Sequence, residues 1–400
     1  MIRSAKCSLK FANKTKRDSI SVFVDEYRDV CAFFVKELWG HVDTKKFIDK
    51  NITDRVDTWL SARAVQCAAK QASGIVRGTK KKQKDRIYRY NKLLEDGDIT
   101  SANRLKLLIN KTNMSRPSCN TVNPELDSRF VKIDDNNKTS FDIWVTLSSL
   151  GNKMKIKIPV KRHKNYNQHS LNGKLKKGIR LGKTKATFMF DLPDAEKNVD
   201  GDIVGLDMGI INTFSTSQGV SSMSDSHGHS LVTIQEKLTR KTKGSLAFKR
   251  TQEHRTAYIN WSVKQLNLNN IKELRIENLK NVRKYKRTSR KLSHWTYTEI
   301  KDKIIARCEE NGVRLVLRPY AYSSQRCSQC GWTQKANRNG KRFCCKHCHY
   351  VADADINASI NLSLDLPEFP RSELHLRKNL IGFFYELGGR ENMVSVGRKQ

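Results

Sequence analysis

The stretch 327-CSQCGWTQKANRNGKRFCCKHCHYVADADINASINL-362 decides the fold of this chain. Cys327 and Cys330 form one pair, Cys345 and Cys348 form a second pair, and 14 residues separate the two. Two Cys-x-x-Cys pairs at this spacing place four thiolates tetrahedrally around Zn²⁺ and close a structural site. The sequence therefore predicts a zinc ribbon that holds one structural Zn²⁺ ion.

The neighbours of the second pair leave its register open. Cys344, His347 or His349 could each replace a cysteine ligand. Five of the ten cysteines lie within residues 327–348, whereas a disulfide scaffold spreads its cysteines through a small secreted chain. This distribution indicates a metal site in a reducing compartment. The ribbon also carries residues that suit DNA contact, although solvated charges would look the same: Arg326, Trp332, Lys335, Arg338, Lys341 and Lys346.

Three acidic residues stand at chemically suggestive points. Asp207 ends the apolar strand 203-IVGLD-207, Glu277 lies in the apolar strand 273-ELRIENL-279, and Asp355 begins a helix. A carboxylate in a buried strand is costly unless a cation or hydrogen bonds satisfy it. Three carboxylates from separate segments can converge on Mg²⁺, which prefers oxygen ligands. Two such ions would activate a water and stabilise the leaving oxygen in phosphodiester hydrolysis.

Each of these acids also has a purely structural explanation. Asp207 could be a cap or turn residue, and Glu277 could pair with Arg275 or with a lysine of the basic connector 280–291. Asp353 is a plausible N-cap of the helix that contains Asp355, and it competes with Asp355 for the metal role. Only the combination of the three acids favours a catalytic site.

The chain is strongly basic, with 400 residues, 76 Lys+Arg, 40 Asp+Glu and a formal net charge of +36. The charge is concentrated in residues 77–92, 153–185 and 280–291, and the second segment holds 12 Lys/Arg and no acid. A solvated face can carry such charge, but a run of this length favours contacts with nucleic-acid phosphates. A membrane is the weaker partner, because no apolar run approaches the ~18 to 20 residues of a spanning helix.

Hydrophobic periodicity divides the chain into segments of different kinds. Alternating residues predict strands at 4–11, within 141–158 and at 186–192, whereas residues 16–116 are typical of a helical domain. After residue 200, short apolar strands alternate with helical stretches, which indicates an α/β unit. The tail after Leu366 contains Pro367, Pro370 and an unpatterned end, ENMVSVGRKQ, and we expect it to be loosely ordered.

The chain resembles the TnpB/OrfB proteins that bacterial insertion sequences encode, which look like ancestors of the small type V CRISPR effectors. The resemblance rests on 205-GLDMG-209, 275-RIENL-279 and 323-SSQRCSQCGWT-333 followed by 342-RFCCKHCHYVADADINASINL-362. It is strongest over residues 201–362. The N-terminal half resembles the family only in its layout of strand, helical insertion and basic barrel.

The resemblance implies an α/β multi-domain protein with an RNase H-like RuvC nuclease core, a zinc-ribbon insert and an N-terminal β-barrel with a helical insertion. Asp207 and Glu277 match the first and second RuvC acids. The third acid of the family directly precedes x-Asn-Ala, which here identifies Asp355, and the three acids would bind two Mg²⁺ ions. The implied domains are a wedge barrel at 1–15 and 117–196, recognition helices at 16–116, the RuvC domain at 197–320 and 351–366, the target-binding zinc ribbon at 321–350 and a C-terminal tail at 367–400.

Family members bind a guide RNA derived from their element and cut matching double-stranded DNA. The resemblance therefore implies an RNA-guided DNA endonuclease, monomeric with its RNA, in the cytoplasm of a bacterial or phage-infected cell and associated with the nucleoid. Two alternatives remain open: a nuclease-inactive or weakly active RNA-guided DNA-binding repressor, and a transposase that acts on element ends without RNA. The presence of all three acids favours the endonuclease.

Overall fold

The computed structural model describes residues 1–41, 44–45, 48–112, 115–135, 139–279, 296–319, 321–367, 380–385 and 395–398. The chain divides into two compact units, Met1–Pro193 and Asp194–Gln400. The basic connector predicted at 280–291 lies outside the described residues. Within these ranges, no helix combines the length and the apolar character that crossing a membrane requires.

The first unit is built from antiparallel strands with a helical insertion after the first strand. Its strands form two sheets, with the orders β1-β7-β6-β2 and β3-β4-β5. Because these sheets are separate among the described strands, the closed wedge barrel stays a prediction. The elements are β1 (Ile2–Ser8), α1 (Lys14–Trp39), α2 (Lys50–Thr53), α3 (Ala62–Glu95), α4 (Ile99–Thr112), β2 (Glu125–Leu126), β3 (Val131–Asp135), β4 (Ile143–Leu147), β5 (Ile156–Val160), α5 (Lys164–Asn172), β6 (Lys174–Leu181) and β7 (Lys185–Asp191).

Helices α1 and α3 pack together and supply much of the core of the first unit. The side chain of Asn13 caps α1 by accepting a hydrogen bond from the N–H of Lys16 at 3.0 Å. The apolar side of α1 recurs every three or four residues and is buried. Helix α3 extends to Glu95, so the basic segment 77–92 forms its largely exposed second half.

The second unit contains a mixed sheet with the strand order β11-β10-β8-β9. Strand β10 is parallel to both β8 and β11, whereas β9 is antiparallel to β8. The structure thus confirms the mixed α/β class. The elements that form this sheet and cover it are β8 (Asp202–Asp207), β9 (Ser215–Thr216), α6 (Leu231–Thr239), α7 (Leu246–Lys264), β10 (Ile271–Glu277), α8 (Tyr297–Glu310), β11 (Arg314–Arg318) and α9 (Ala354–Ser363).

The cysteine-rich segment of the second unit forms a small antiparallel ribbon that leads directly into α9. One sheet has the order β13-β14-β15 and another has the order β12-β16-β17. Part of the tail is ordered, in contrast to our expectation, because Phe384 pairs with Trp332 and their rings pack 5.1 Å apart. The elements are β12 (Trp332–Thr333), a 3-10 turn (Lys335–Asn337), β13 (Arg338–Asn339), β14 (Arg342–Cys344), β15 (Val351–Asp353), β16 (Leu380–Phe384) and β17 (Ser395–Arg398).

Candidate functional site

The structure brings Asp207, Glu277 and Asp355 together at one edge of the mixed sheet. Asp207 ends β8 and Glu277 ends β10. These strands are parallel neighbours with Leu206 opposite Ile276, so both carboxylates emerge at the carboxyl edge. Asp355 lies in the first turn of α9, which packs against β8. Asp207 and Glu277 are hydrogen-bonded, and the charge of Asp355 acts on both.

Burial makes this acidic cluster electrostatically unfavourable without a cation. Asp207, Glu277 and Asp355 are 7%, 9% and 5% exposed. Burial raises the pKa of Asp207 and the charge of Asp355 raises it further, whereas the hydrogen bond with Glu277 lowers it. Burial and then the charge of Asp207 raise the pKa of Glu277 well above its ordinary value. Burial and mutual repulsion therefore favour the protonated form of this pair of acids when no cation is bound.

The third carboxylate is neutralised by two cations from the zinc ribbon. Arg338 Nη2 lies 2.8 Å from one oxygen of Asp355, and Lys341 Nζ lies 2.5 Å from the other. Three buried carboxylates supply only oxygen donors, which fit the preferences of Mg²⁺. The ion would be held by the carboxylates of Asp207, Glu277 and Asp355. The two cations of the ribbon, Arg338 and Lys341, already lie beside one of these carboxylates.

The structure distinguishes the acidic site from its structural alternatives. The side chain of Asp353 accepts hydrogen bonds from two backbone N–H groups of the first turn of α9, with that of Asp355 at 2.9 Å. Asp353 is therefore the N-cap, and Asp355 is the residue that faces the other acids. Arg275 pairs with Glu273, with Nε and Oε1 at 2.6 Å, so Arg275 is not the partner of Glu277.

Gly205 sets the close approach between β8 and α9, and our sequence analysis did not identify it. A Cβ atom at this position would lie 1.9 Å from the carbonyl oxygen of Ser359 and 2.6 Å from the backbone nitrogen of Ser363. Only glycine permits this contact. Because α9 carries Asp355, the contact positions the third carboxylate. A glycine inside an apolar strand is the signal that could have revealed it.

Tyr297 fixes the end of β10 beside the acids. Its hydroxyl donates a hydrogen bond to the carbonyl oxygen of Glu277 at 2.6 Å and accepts one from the N–H of Leu279 at 3.2 Å. The chain leaves the sheet at this point, where strand hydrogen bonding ends. The tyrosine therefore holds the backbone of Glu277 in place from α8.

The four predicted cysteines form one cluster. Their Sγ atoms all lie within 4.8 Å of one another. The Sγ atoms of Cys327 and Cys348 are 3.7 Å apart, and those of Cys330 and Cys345 are 3.6 Å apart. Four sulfurs bound tetrahedrally to Zn²⁺ at about 2.3 Å lie about 3.8 Å apart. The cluster therefore fits a structural Zn²⁺ ion.

The alternative ligands fall outside this cluster. The ring of His347 packs against Trp332 at 5.7 Å and Phe384 at 5.0 Å between centroids. Cys344 pairs in β14 with Val351. Among the described residues, neither Cys344, His347 nor His349 belongs to the four-thiol group.

Asparagines of α9 fasten the ribbon to the helix that carries Asp355. Asn357 Nδ2 and Asn361 Nδ2 donate hydrogen bonds to the carbonyl oxygen of Arg326 at 2.8 and 2.7 Å. The Arg326 guanidinium donates to Asn361 Oδ1 and to the carbonyl oxygen of Tyr385. Arg326 is 5% exposed, and Trp332 is also buried, so both belong to the interior of this unit rather than to a DNA-contacting surface.

The basic segments of the first unit form a cationic surface. Nine of the 12 Lys/Arg in residues 153–185 are exposed. Some of them form ion pairs, such as Arg180 with Glu125 at 2.6 Å, but most have no acid nearby in sequence. On α3, Tyr88 is 72% exposed within the basic segment 77–92. An excess of exposed cations beside an exposed aromatic ring suits nucleic-acid phosphates and bases.

Residues 297–362 match the family model of the Cas12f1-like TNB domain. This match covers α8, β11, the ribbon and most of α9, and it includes the four cysteines and Asp355. Asp207 and Glu277 lie outside it.

Three curated proteins match parts of this chain. The CRISPR-associated endodeoxyribonuclease Cas12f1 of Sulfoacidibacillus thermotolerans is 40% identical over 92 residues, 23% of this chain and 21% of that protein. A TnpB-like protein of Aquifex aeolicus is 33% identical over 79 residues, 19% of this chain and 26% of that protein. InsQ of Escherichia coli, assigned as an RNA-guided DNA endonuclease, is 26% identical over 193 residues, 40% of this chain and 48% of that protein. The matches thus span less than half of each relative.

Proposed function

We propose that this chain, which belongs to the TnpB/OrfB family, is an RNA-guided DNA endonuclease with a Mg²⁺-dependent RuvC-like site. The observation that carries the proposal is the convergence of Asp207, Glu277 and Asp355 beside the four-cysteine ribbon. The relatives support the reaction class, because Cas12f1 is an endodeoxyribonuclease and InsQ is assigned as RNA-guided.

The proposed reaction is hydrolysis of a DNA phosphodiester bond. Bound Mg²⁺ would supply an activated water and stabilise the leaving oxygen. Asp207 and Glu277 hold their carboxylates on rigid strand ends, where they would bind the cation. Asp355 would complete the ligand set from α9, and its partners Arg338 and Lys341 would contribute positive charge beside the site.

The cationic surface of the first unit would bind the guide RNA through its phosphates, while base pairing would read the DNA target. The predicted wedge barrel at 1–15 and 117–196 and the recognition helices at 16–116 supply this surface. In the ribbon, the exposed Lys346 is free of the interior contacts that hold Arg326, so it is the better candidate for target contact. The monomeric state and the cytoplasmic location implied by the resemblance stay predictions.

The proposal is tested with the full-length protein and the RNA that copurifies with it. The RNA is sequenced, and a plasmid that carries the matching target is incubated with the complex and Mg²⁺. Asp355→Asn should reduce cutting by at least ~100-fold, since it removes a charge at the reacting centre. Asp353→Ser, two residues away, keeps an N-cap side chain and should retain most of the cutting. Undiminished cutting by an Asp207→Asn, Glu277→Gln double variant would refute the assignment.

The same experiment separates the two alternatives. Target binding by the wild-type complex without Mg²⁺-dependent cutting would identify an RNA-guided repressor. Cutting that persists after RNase treatment would identify a transposase that acts without RNA. Loss of cutting after RNase treatment, with RNA binding intact in Asp355→Asn, is the result that the proposal requires.

A further inference from the structure

A second group of metal-ligating side chains lies in the second unit, away from both sites described above. Asp225 and His229 come from the loop 224-SDSHGHS-230 that precedes α6, and His254 comes from the middle of α7. One ligand atom from each of the three residues lies within 4.8 Å of the others. The imidazole rings of His229 and His254 are 4.7 Å apart between centroids.

The loop holds the carboxylate of Asp225 in place before any ion binds. One carboxylate oxygen of Asp225 accepts hydrogen bonds from the backbone N–H groups of His227 at 2.9 Å and His229 at 2.8 Å. Its other oxygen, Oδ2, is directed to Nδ1 of His229 at 3.4 Å. The loop backbone therefore fixes the carboxylate and leaves Oδ2 available to a ligand.

His229 has a polar atom that the protein does not satisfy. Its Nδ1 is buried and has no hydrogen-bond partner among the described residues, and the 3.4 Å separation from Asp225 is long for a hydrogen bond. A buried imidazole nitrogen without a partner is unfavourable, and a metal ion would satisfy it. His227, in the same loop, is exposed and is not part of the group.

We propose that Asp225, His229 and His254 form a second transition-metal site, which binds Zn²⁺ through two imidazoles and one carboxylate. Two nitrogens and one oxygen suit Zn²⁺, whereas Mg²⁺ and Ca²⁺ prefer all-oxygen sites. Ligands bound at about 2.0–2.1 Å lie about 3.3 Å apart, so the three ligand atoms, which lie within 4.8 Å of one another, would have to approach by up to about 1.5 Å.

The site would join the loop to α7 and leave the fourth coordination position to water. It differs from the ribbon site in its ligands, since it contains no sulfur. It is independent of the proposed nuclease activity, because none of its three residues belongs to the acidic cluster or to the ribbon.

The test counts the zinc ions that the full-length protein retains with its copurified RNA. Each variant is dialysed against excess Zn²⁺, desalted and measured by plasma mass spectrometry. We expect two zinc ions for each wild-type chain and one for His254→Gln. The matched control His227→Gln should keep two zinc ions. Zinc that is bound by the RNA contributes equally to all three samples, so it does not affect the comparison. Circular dichroism verifies that the variants are folded.

Cobalt substitution assigns the ion that is lost. The four-thiolate site gives intense sulfur-to-cobalt charge-transfer bands, which His254→Gln should leave unchanged, while the loss of one Co²⁺ is seen in the metal count. One zinc ion in the wild type, or the same zinc content in His254→Gln and wild type, would overturn the proposal. Equal losses in His254→Gln and His227→Gln would also overturn it, since His227 is not in the proposed ligand set.

Discussion

Substitution of Gly205 by alanine should damage both stability and cutting, although the residue carries no functional group. The added Cβ would meet the backbone of α9, with the carbonyl oxygen of Ser359 at 1.9 Å. The obstacle is main chain and cannot rotate away as a side chain would. To restore an ordinary contact near 3.4 Å, α9 must move by about 1.5 Å.

The size of both effects follows from this displacement. Overpacking of an interior costs about 1–3 kcal/mol, and a backbone obstacle places Gly205→Ala toward the upper end of that range. For a unit of this size, that corresponds to a decrease in Tm of roughly 3–10 °C. Movement of α9 also moves Asp355 away from Asp207 and Glu277. A misplacement of about 1 Å can reduce the rate by about 100-fold.

Thermal unfolding of the protein–RNA complex and plasmid cutting at saturating Mg²⁺ test the prediction. Gly74→Ala is the matched control, because a Cβ atom there has nothing within 4 Å and the residue lies inside α3, outside the basic segment 77–92. Alanine in a helix interior is more favourable than glycine by up to about 1 kcal/mol, so Tm should rise slightly with cutting unchanged. Wild-type Tm and cutting in Gly205→Ala would refute the close-contact argument.

Three further predictions concern the two metal centres. Glu277→Gln should raise the Tm of the metal-free protein at pH 8 and have little effect at pH 5. A buried carboxyl with a raised pKa destabilises the folded protein as the pH rises through that pKa, and glutamine carries no such charge. Thermal scans of both proteins across pH test this, and a Tm difference between them that does not change with pH would contradict it. Lys341→Met should lower the Tm of the metal-free protein, because it removes one cation from the buried Asp355 at a cost of about 1–3 kcal/mol. Added Mg²⁺ should recover part of this loss in Tm. Lys346→Met, which changes an exposed lysine of the ribbon, is the control. Zinc removal should expose residues 321–350 to protease, because binding of a structural zinc is coupled to folding. Limited proteolysis with and without a chelator measures this exposure. Equal cleavage of the segment in both samples would count against the zinc site.

The cysteines and the acidic residues were the most predictable part of the site, because few other residue types bind these metal ions. The spacing of the four cysteines was sufficient to propose the cluster, and the structure brings their sulfur atoms together. Asp207 and Glu277 were identifiable because acids at the ends of apolar strands are conspicuous. The N-cap hydrogen bonds of Asp353, which the structure shows directly, favour Asp355 as the third acid.

The contacts between distant segments were not predictable from local patterns. Arg326 looks like a surface cation in sequence, yet it is buried against α9 and Tyr385. Residues 380–385, LIGFFY, are apolar enough for a strand, but local sequence does not reveal that they pair with β12. Gly205 is one of 21 glycines, and its importance depends on how closely α9 approaches. Such features depend on tertiary packing, which hydrophobic periodicity does not encode.

The direct junction between β15 and α9 limits how this protein can be re-engineered. The ribbon ends at Asp353 and the helix begins at the next residue, so no linker separates the two. A ribbon transplanted from a relative would have to reproduce the bonds to Asn357 and Asn361 as well as its own metal site. A chimaera that exchanges the ribbon alone therefore also alters the geometry of Asp355. Exchange of the ribbon together with α9 is the smallest cassette that keeps both intact.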